Sequence, residues 1–278
     1  MKKILQKYIP LAYGIYFNGF SLFSKKKAAS KAFSVFCTVR KGKVLPHQKE
    51  FLDKAKSTKE KVKEHTLQSY QWEGKKETVL LLHGWESNTF RWRNLISKLK
   101  EADFNIIAFD APAHGHSTGK ELNVPLYTEC TQHFIEKHKP QHIIAHSVGG
   151  MNALYNQYKY PDSDIKKVVT IGAPSELSEI MGQYKTTLKY NTRVEKALDN
   201  YFIERFGFKV ADFSTSKFVQ SNTKKGLLFH DELDAIAPFH ASEKVHANWQ
   251  GSTFIKTKGL GHSMHQEEVN NKIVAFLK

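Results

Sequence analysis

Cysteine is nearly absent from this 278-residue chain: Cys37 and Cys130 are the whole supply, far apart and without metal-ligand spacing. That excludes a disulfide-stapled scaffold and a cysteine zinc site, and makes a reducing, cytoplasmic compartment the default expectation. Long apolar runs are missing too. The uncharged stretch Tyr8–Ser24 has 17 residues and is interrupted by Pro10, Gly14, Asn18 and Gly19. A membrane span needs about 20 predominantly apolar residues. A secretory signal is not expected either, because three lysines and no small-x-small cleavage site follow the run. Thr118-Gly119-Lys120 lacks the glycine-rich run of a phosphate loop, which excludes an NTPase. No internal repeat or low-complexity linker is present. With 40% apolar and 25% charged residues, the composition is that of a folded soluble chain.

The last absence is acidic. No Asp or Glu occurs in the first forty residues, and the formal charge of the whole chain is +15. Residues 1–76 hold 18 basic and 5 acidic residues, whereas residues 77–278 hold 24 and 22. The basic character thus belongs to an N-terminal extension, residues 1–65, while the remainder is nearly neutral. Lysines at both ends of an aromatic and aliphatic stretch suit a helix lying on an anionic bilayer surface, so residues 1–40 are a candidate for peripheral membrane attachment. A helix docked on the protein's own core fits the same pattern. Ala28–Cys37 and Gln48–Lys63 are expected to be further helices with lysine faces. Nucleic-acid binding is not expected, because no nucleic-acid module signature accompanies the lysines.

From about residue 66 short apolar runs alternate with amphipathic stretches. Thr78–Leu82, Asn105–Phe109, His142–Ala145, Lys167–Ile171, Gly226–Phe229 and Thr253–Lys256 are expected strands. Most are bare hydrophobic runs, as in strands buried on both faces of a parallel sheet. Phe90–Glu101, Val124–His138, Gly149–Tyr160, Pro238–His246 and His265–Leu277 are expected helices. Regular alternation predicts an α/β fold with a doubly wound, mostly parallel sheet over residues 66–278. His65–Trp72 alternates polar and apolar and is expected as an antiparallel edge strand. About fifty residues separate Ile171 from Gly226, so residues 175–222 are read as a helical cap over the carboxyl ends of the strands. Its Tyr184, Tyr190, Tyr201, Phe202 and Phe206 suggest an aromatic lining for an uncharged or acyl-chain substrate.

Ala145-His146-Ser147-Val148-Gly149 lies between an expected strand and an expected helix. A nucleophile elbow puts its serine on a strained strand-to-helix turn with small residues two before and two after. The Val148 N–H, at the start of the helix, would face a tetrahedral oxyanion, and a second donor is expected at Trp85 in the His83-Gly84-Trp85 loop. His83, Gly84, His146 and Gly149 are the supporting residues, with His83 ordering its loop by hydrogen bonding.

These motifs resemble the α/β-hydrolase superfamily, as does Asp110-Ala111-Pro112-Ala113-His114-Gly115-His116-Ser117, which is similar to the family's Asp-x-x-Gly-x-Gly-x-Ser turn with Ala113 at the first glycine. The resemblance covers roughly residues 66–278. It implies a Ser, acid, His order. Asp231-Glu232-Leu233-Asp234-Ala235-Ile236-Ala237-Pro238 is similar to the family's acid turn and implies Asp234 as the acid, with Asp231 the alternative. Gly259-Leu260-Gly261-His262-Ser263 is similar to its Gly-His loop and implies His262 as the base. Ser147, Asp234 and His262 together imply a serine hydrolase of carboxylic esters or thioesters. Peptidase, lipase or perhydrolase chemistry, and a catalytically idle binding scaffold at a membrane, are the alternatives. A triad of this kind needs no cofactor and no metal, and none is expected. His114 and His116 lack the further ligands of a metal cluster. The expected partner is a small ester or acyl substrate; oligomeric state is not set by the sequence.

Overall fold

The computed structural model describes residues 2–278. Its strands are β1 (Lys56–Val62), β2 (His65–Trp72), β3 (Lys76–Leu82), β4 (Phe104–Phe109), β5 (His142–His146), β6 (Lys167–Ile171), β7 (Lys225–Asp231) and β8 (Ser252–Thr257). Its helices are α1 (Lys2–Phe23), α2 (Lys25–Cys37), α3 (Pro46–Leu52), α4 (Arg93–Glu101), α5 (Val124–His138), α6 (Val148–Lys159), α7 (Leu177–Leu188), α8 (Thr192–Phe206), α9 (Thr215–Phe218), α10 (His240–Asn248) and α11 (Glu267–Leu277). The chain divides into two compact units: residues 39–175 with 215–278, and residues up to Thr38 with 176–214.

The larger unit is an eight-stranded sheet in the order β1-β2-β4-β3-β5-β6-β7-β8. All pairs from β4 to β8 are parallel, and β1 and β2 are antiparallel additions at one edge. The central strands explain the bare apolar runs. Leu80, Leu82, Ile107, Ile143 and Val168 feed one apolar layer, while Leu81, Ile106, Ile144 and Val169 feed the opposite one. Helices on both faces therefore demand hydrophobic residues at consecutive strand positions.

The segment Gln48–Lys63 is not one helix. Helix α3 stops at Leu52, and Lys56–Val62 pairs along its full length with β2, from Lys56 opposite Gln71 to Val62 opposite His65. The turn closes at Lys63 with φ 54°. Its lysines suit a solvent-facing outer strand, where charge discourages edge-to-edge pairing. Only Glu60 and Val62 are buried, on alternate positions. Strand β2 is accordingly an inner strand with β1 outside it, so the hydrolase-type sheet reaches back beyond residue 66.

In the smaller unit, α1 and α2 pack with α7 and α8. Two of the residues that interrupt the apolar run of α1, Gly14 and Asn18, serve this packing. A β-carbon on Gly14 would collide with the Leu188 carbonyl, and Asn18 bonds the Lys189 carbonyl and the Asn191 N–H. Tyr184, Tyr190, Tyr201, Phe202 and Phe206 do not form a free lining. Phe33 of α2 contacts the rings of Tyr201, Phe202 and Phe206, and Tyr184 contacts Phe36 and Tyr190. They form the core of this helical unit, so they carry no information about substrate. The opposite side of α1 is apolar and exposed: Ile15 is 74%, Leu22 68% and Phe23 87% accessible, with Tyr8, Ile9, Tyr13 and Tyr16 beside them. Among the described residues no helix is long and apolar enough to cross a membrane.

Candidate active site

Strand β5 ends in a tight turn at Ser147, whose φ of 54° and ψ of −125° lie in a region costly for a residue with a β-carbon. The turn holds because its surroundings over-determine it. Ser147 N–H donates to the Ile171 carbonyl at 2.9 Å, and its own carbonyl accepts from Gly150 N–H at 2.8 Å. Gly149 is required here, since a β-carbon would come within 2.5 Å of the Leu82 carbonyl oxygen. Ala145, in contrast, sits within β5 between Leu82 and Thr170 and needs only to be small. Val148 opens α6, so its N–H is one of the first-turn donors that no helix carbonyl satisfies.

The loop after β3 runs directly past the serine. A β-carbon on Gly84 would lie 2.8 Å from His146 Nδ1 and 3.0 Å from Ser147 Cβ, so only glycine lets the backbone leading to Trp85 approach. His83 Nδ1 donates to the Gly84 carbonyl at 2.8 Å, and Nε2 accepts the Ala111 N–H at 3.0 Å. Below it, buried Asp110 accepts from Thr89 N–H and Oγ1 at 2.9 Å and from the Tyr70 hydroxyl at 3.0 Å. A β-carbon on Gly115 would overlap the Asp110 carboxylate, which accounts for that glycine; Ala113 carries a β-carbon at φ 70°. His114 bonds the Pro112 carbonyl and the Glu86 N–H, and His116 meets the Tyr70 hydroxyl. Both are structural braces.

The loops after β7 and β8 bring the acid and the imidazole together. His262 Nδ1 donates to Asp234 Oδ2 at 2.7 Å. Asp234 Oδ1 accepts the N–H groups of Ile236 and Ala237 at 2.8 and 3.0 Å, and His230 Nε2 stands 3.4 Å from Oδ2. Burial alone would raise the Asp234 carboxyl, but bonds from His230, His262, Ala237 and Ile236 outweigh it and hold it well below the usual carboxylate range. Asp231 does a different job. Its oxygens accept from Leu233, Gly259 and Leu260 N–H and from Thr257 Oγ1, tying the β7 and β8 loops to each other. Gly172, at φ 56°, lies where a β-carbon would be 3.2 Å from His262 Nδ1, so the end of β6 adjoins both the pair and Ser147.

Two contacts that the sequence motifs do not signal complete the arrangement. His146 Nε2 donates to the His262 carbonyl at 3.0 Å, with the two rings 4.8 Å apart. Arg91 Nη2 donates to the Ser263 carbonyl at 2.9 Å. Together they pin the backbone that follows the His262 side chain. The alternation Phe90-Arg91-Trp92-Arg93 was the available sign of Arg91, but nothing local says where its guanidinium goes.

Burial is the main reason that His83 is lowered to about 4 and His114 to about 3, and that His146 is held well below the ordinary range. Such rings stay neutral in the folded chain while their unfolded counterparts charge near 6.5. Below that pH the unfolded state binds more protons, so stability falls as pH falls. His83 and His114 should each cost about 2 kcal/mol at pH 5 relative to pH 7.5. Urea unfolding at pH 7.5, 6 and 5 measures this, and a constant midpoint would contradict it.

A family described as alpha/beta hydrolase fold matches residues 77–200. The pimeloyl-[acyl-carrier protein] methyl ester esterase of Vibrio vulnificus is 30% identical over 112 residues, which is 40% of this chain and 42% of that protein. The chain thus spans less than half the length of the relative it matches. Est1E of Butyrivibrio proteoclasticus superposes with a TM-score of 0.65 at 17% identity, covering 79% of this chain and 97% of that one. The bromoperoxidase of Bacillus anthracis gives 0.63 at 20% identity over 80% and 99% of the two chains. With the sheet order, the elbow and these likenesses in agreement, the chain has the α/β-hydrolase fold.

Proposed function

We propose that this protein is a serine hydrolase that cleaves a carboxylic ester or thioester through an acyl-enzyme on Ser147. The reading is carried by one observation: the strained Ser147 turn adjoins an imidazole whose Nδ1 is committed to an ionised, buried carboxylate at 2.7 Å. With Nδ1 donating to Asp234, the other nitrogen of His262, Nε2, is left as the base. It takes the Ser147 hydroxyl proton as the oxygen attacks the substrate carbonyl, and returns it to the departing alcohol or thiol. The N–H groups of Val148 and Trp85 receive the oxyanion. Water then repeats the sequence with His262 as base, and the acid product leaves. An idle scaffold would have no use for a strained serine beside a bonded His–Asp pair. The names of the relatives, a methyl ester esterase among them, agree with an ester or acyl substrate. The test is turnover of p-nitrophenyl esters of graded acyl length by the wild type beside Ser147→Ala. A wild type that is inert throughout the series would favour the binding scaffold; equal rates for the two proteins would remove Ser147 as nucleophile.

The protein is further proposed to work at the surface of an anionic membrane, with the rest of the molecule in the cytoplasm. Seven exposed apolar residues of α1, from Tyr8 to Phe23, cover about half of its circumference at 100° per residue, and Lys25–Lys27 follow at once. Removing residues 1–40 would take buried Phe17 and Phe33 out of the helical unit, so point substitutions are the better probe. Ile15→Glu with Phe23→Glu should lower co-sedimentation with phosphatidylserine-containing liposomes at least tenfold. Binding unchanged by this double substitution would remove the membrane reading.

A further inference from the structure

The wall beside His262 carries a concentration of positive charge that ester cleavage itself does not need. A cleft of about 740 Å3 opens next to His262 and His146, and Arg40, Lys41, Lys43, Arg91 and Arg93 all line it. Glu86 is the only carboxylate on its wall among the described residues, and Glu86 Oε1 accepts the backbone N–H of Arg40. Some basic side chains elsewhere find acids, as Lys26 does with Glu204 and Lys98 with Glu267. Among the described residues no carboxylate lies within 4 Å of the charged groups of Lys41, Lys43, Arg91 or Arg93.

The two guanidiniums are also held in place. Arg91 lies over the Trp92 ring, 4.6 Å from its centroid, and spends one donor on the Ser263 carbonyl. Arg93 lies 4.7 Å over Phe90. Stacking fixes each plane without using its N–H donors, and a stacked guanidinium is suited to binding planar oxyanions bidentately. Burial, and then the charge of Arg93, pull the Arg91 guanidinium down to about 9. Two partly buried cations that line one cleft without a carboxylate partner are costly, and an anion in that cleft offsets the cost.

We propose that this cleft is a subsite for an anionic group on the substrate, a carboxylate or a phosphate, held by Arg91 and Arg93 while the ester or thioester carbonyl reaches Ser147. The inference deepens, and rests on, the serine-hydrolase reading. It narrows the substrate class to esters or thioesters that carry a second, charged end. The near-neutral balance of residues 77–278 conceals this, because two of the arginines are concentrated at one mouth and Arg40, Lys41 and Lys43 come from earlier in the chain.

Equilibrium binding to the full-length protein tests the subsite without requiring turnover. Titration calorimetry with glutarate probes the carboxylate source, and with inorganic pyrophosphate the phosphate source. At least one of them should bind saturably at one site per chain. Arg93→Gln should weaken that binding about tenfold or more, and Arg93→Lys, which keeps the charge, should recover part of it. Binding of neither anion, or binding indifferent to Arg93→Gln, would overturn the subsite. The hydrolase reading stands or falls separately, on p-nitrophenyl acetate turnover by wild type and Ser147→Ala.

Discussion

Ser147→Ala should lower kcat/KM on p-nitrophenyl esters by about ten-thousandfold or more, with the thermal unfolding midpoint close to that of the wild type. The substitution removes only Oγ. The β-carbon stays, so the conformational cost of φ 54° is the same in both proteins. What disappears is the covalent route. The N–H groups of Val148 and Trp85 and the binding cleft would remain, and such residual features sustain roughly 10^3–10^4-fold acceleration over water in comparable enzymes. A small residual rate in the variant is therefore expected. A rate within tenfold of wild type would mean that the chemistry does not pass through Ser147.

The second large effect separates two aspartates that stand only one short turn apart in sequence. Asp234→Asn should reduce kcat by about 10^3–10^4-fold, because an amide no longer holds His262 as the Nδ1–H tautomer and no longer stabilises its imidazolium. Asp231→Asn should instead act on stability. Asp231 is fully buried and accepts four bonds, from Leu233, Gly259, Leu260 and Thr257, and an asparagine would turn an NH2 donor toward those donors. Loss of a buried, fully bonded carboxylate costs about 3 kcal/mol or more. Denaturant unfolding beside kcat per folded molecule distinguishes the two variants. A collapse of kcat in Asp231→Asn at unchanged stability, with Asp234→Asn still active, would exchange the two roles.

Motif residues were readable because their constraints are local. Gly149 must be small for a turn built within five residues, and the apolar strands announce themselves because both faces of the sheet are covered. Lys56–Val62 was not readable: a lysine-rich outer strand buries only Glu60 and Val62, too little for its alternation to stand out against a helical pattern. Tyr201, Phe202 and Phe206 misled for a different reason. Aromatic rings announce that something will be buried against them, but not that the partner is Phe33, well over a hundred residues away.

The amino-acid sequence by itself determined the α/β architecture of the larger unit and the identity of the elbow, because strand burial, turn geometry and helix starts are set by neighbours along the chain. It also located the positive charge in the first 76 residues and pointed to Asp234 as the acid, with Asp231 as the alternative. Only the tertiary structure showed what each of the two bonds, Asp231 the β7 and β8 loops and Asp234 the His262 imidazole. Only the tertiary structure, likewise, set Arg40, Lys41 and Lys43 beside Arg91 and Arg93 at one cleft. Charges act through space over several ångströms, and the fold alone fixes which residues, remote along the chain, come within that reach.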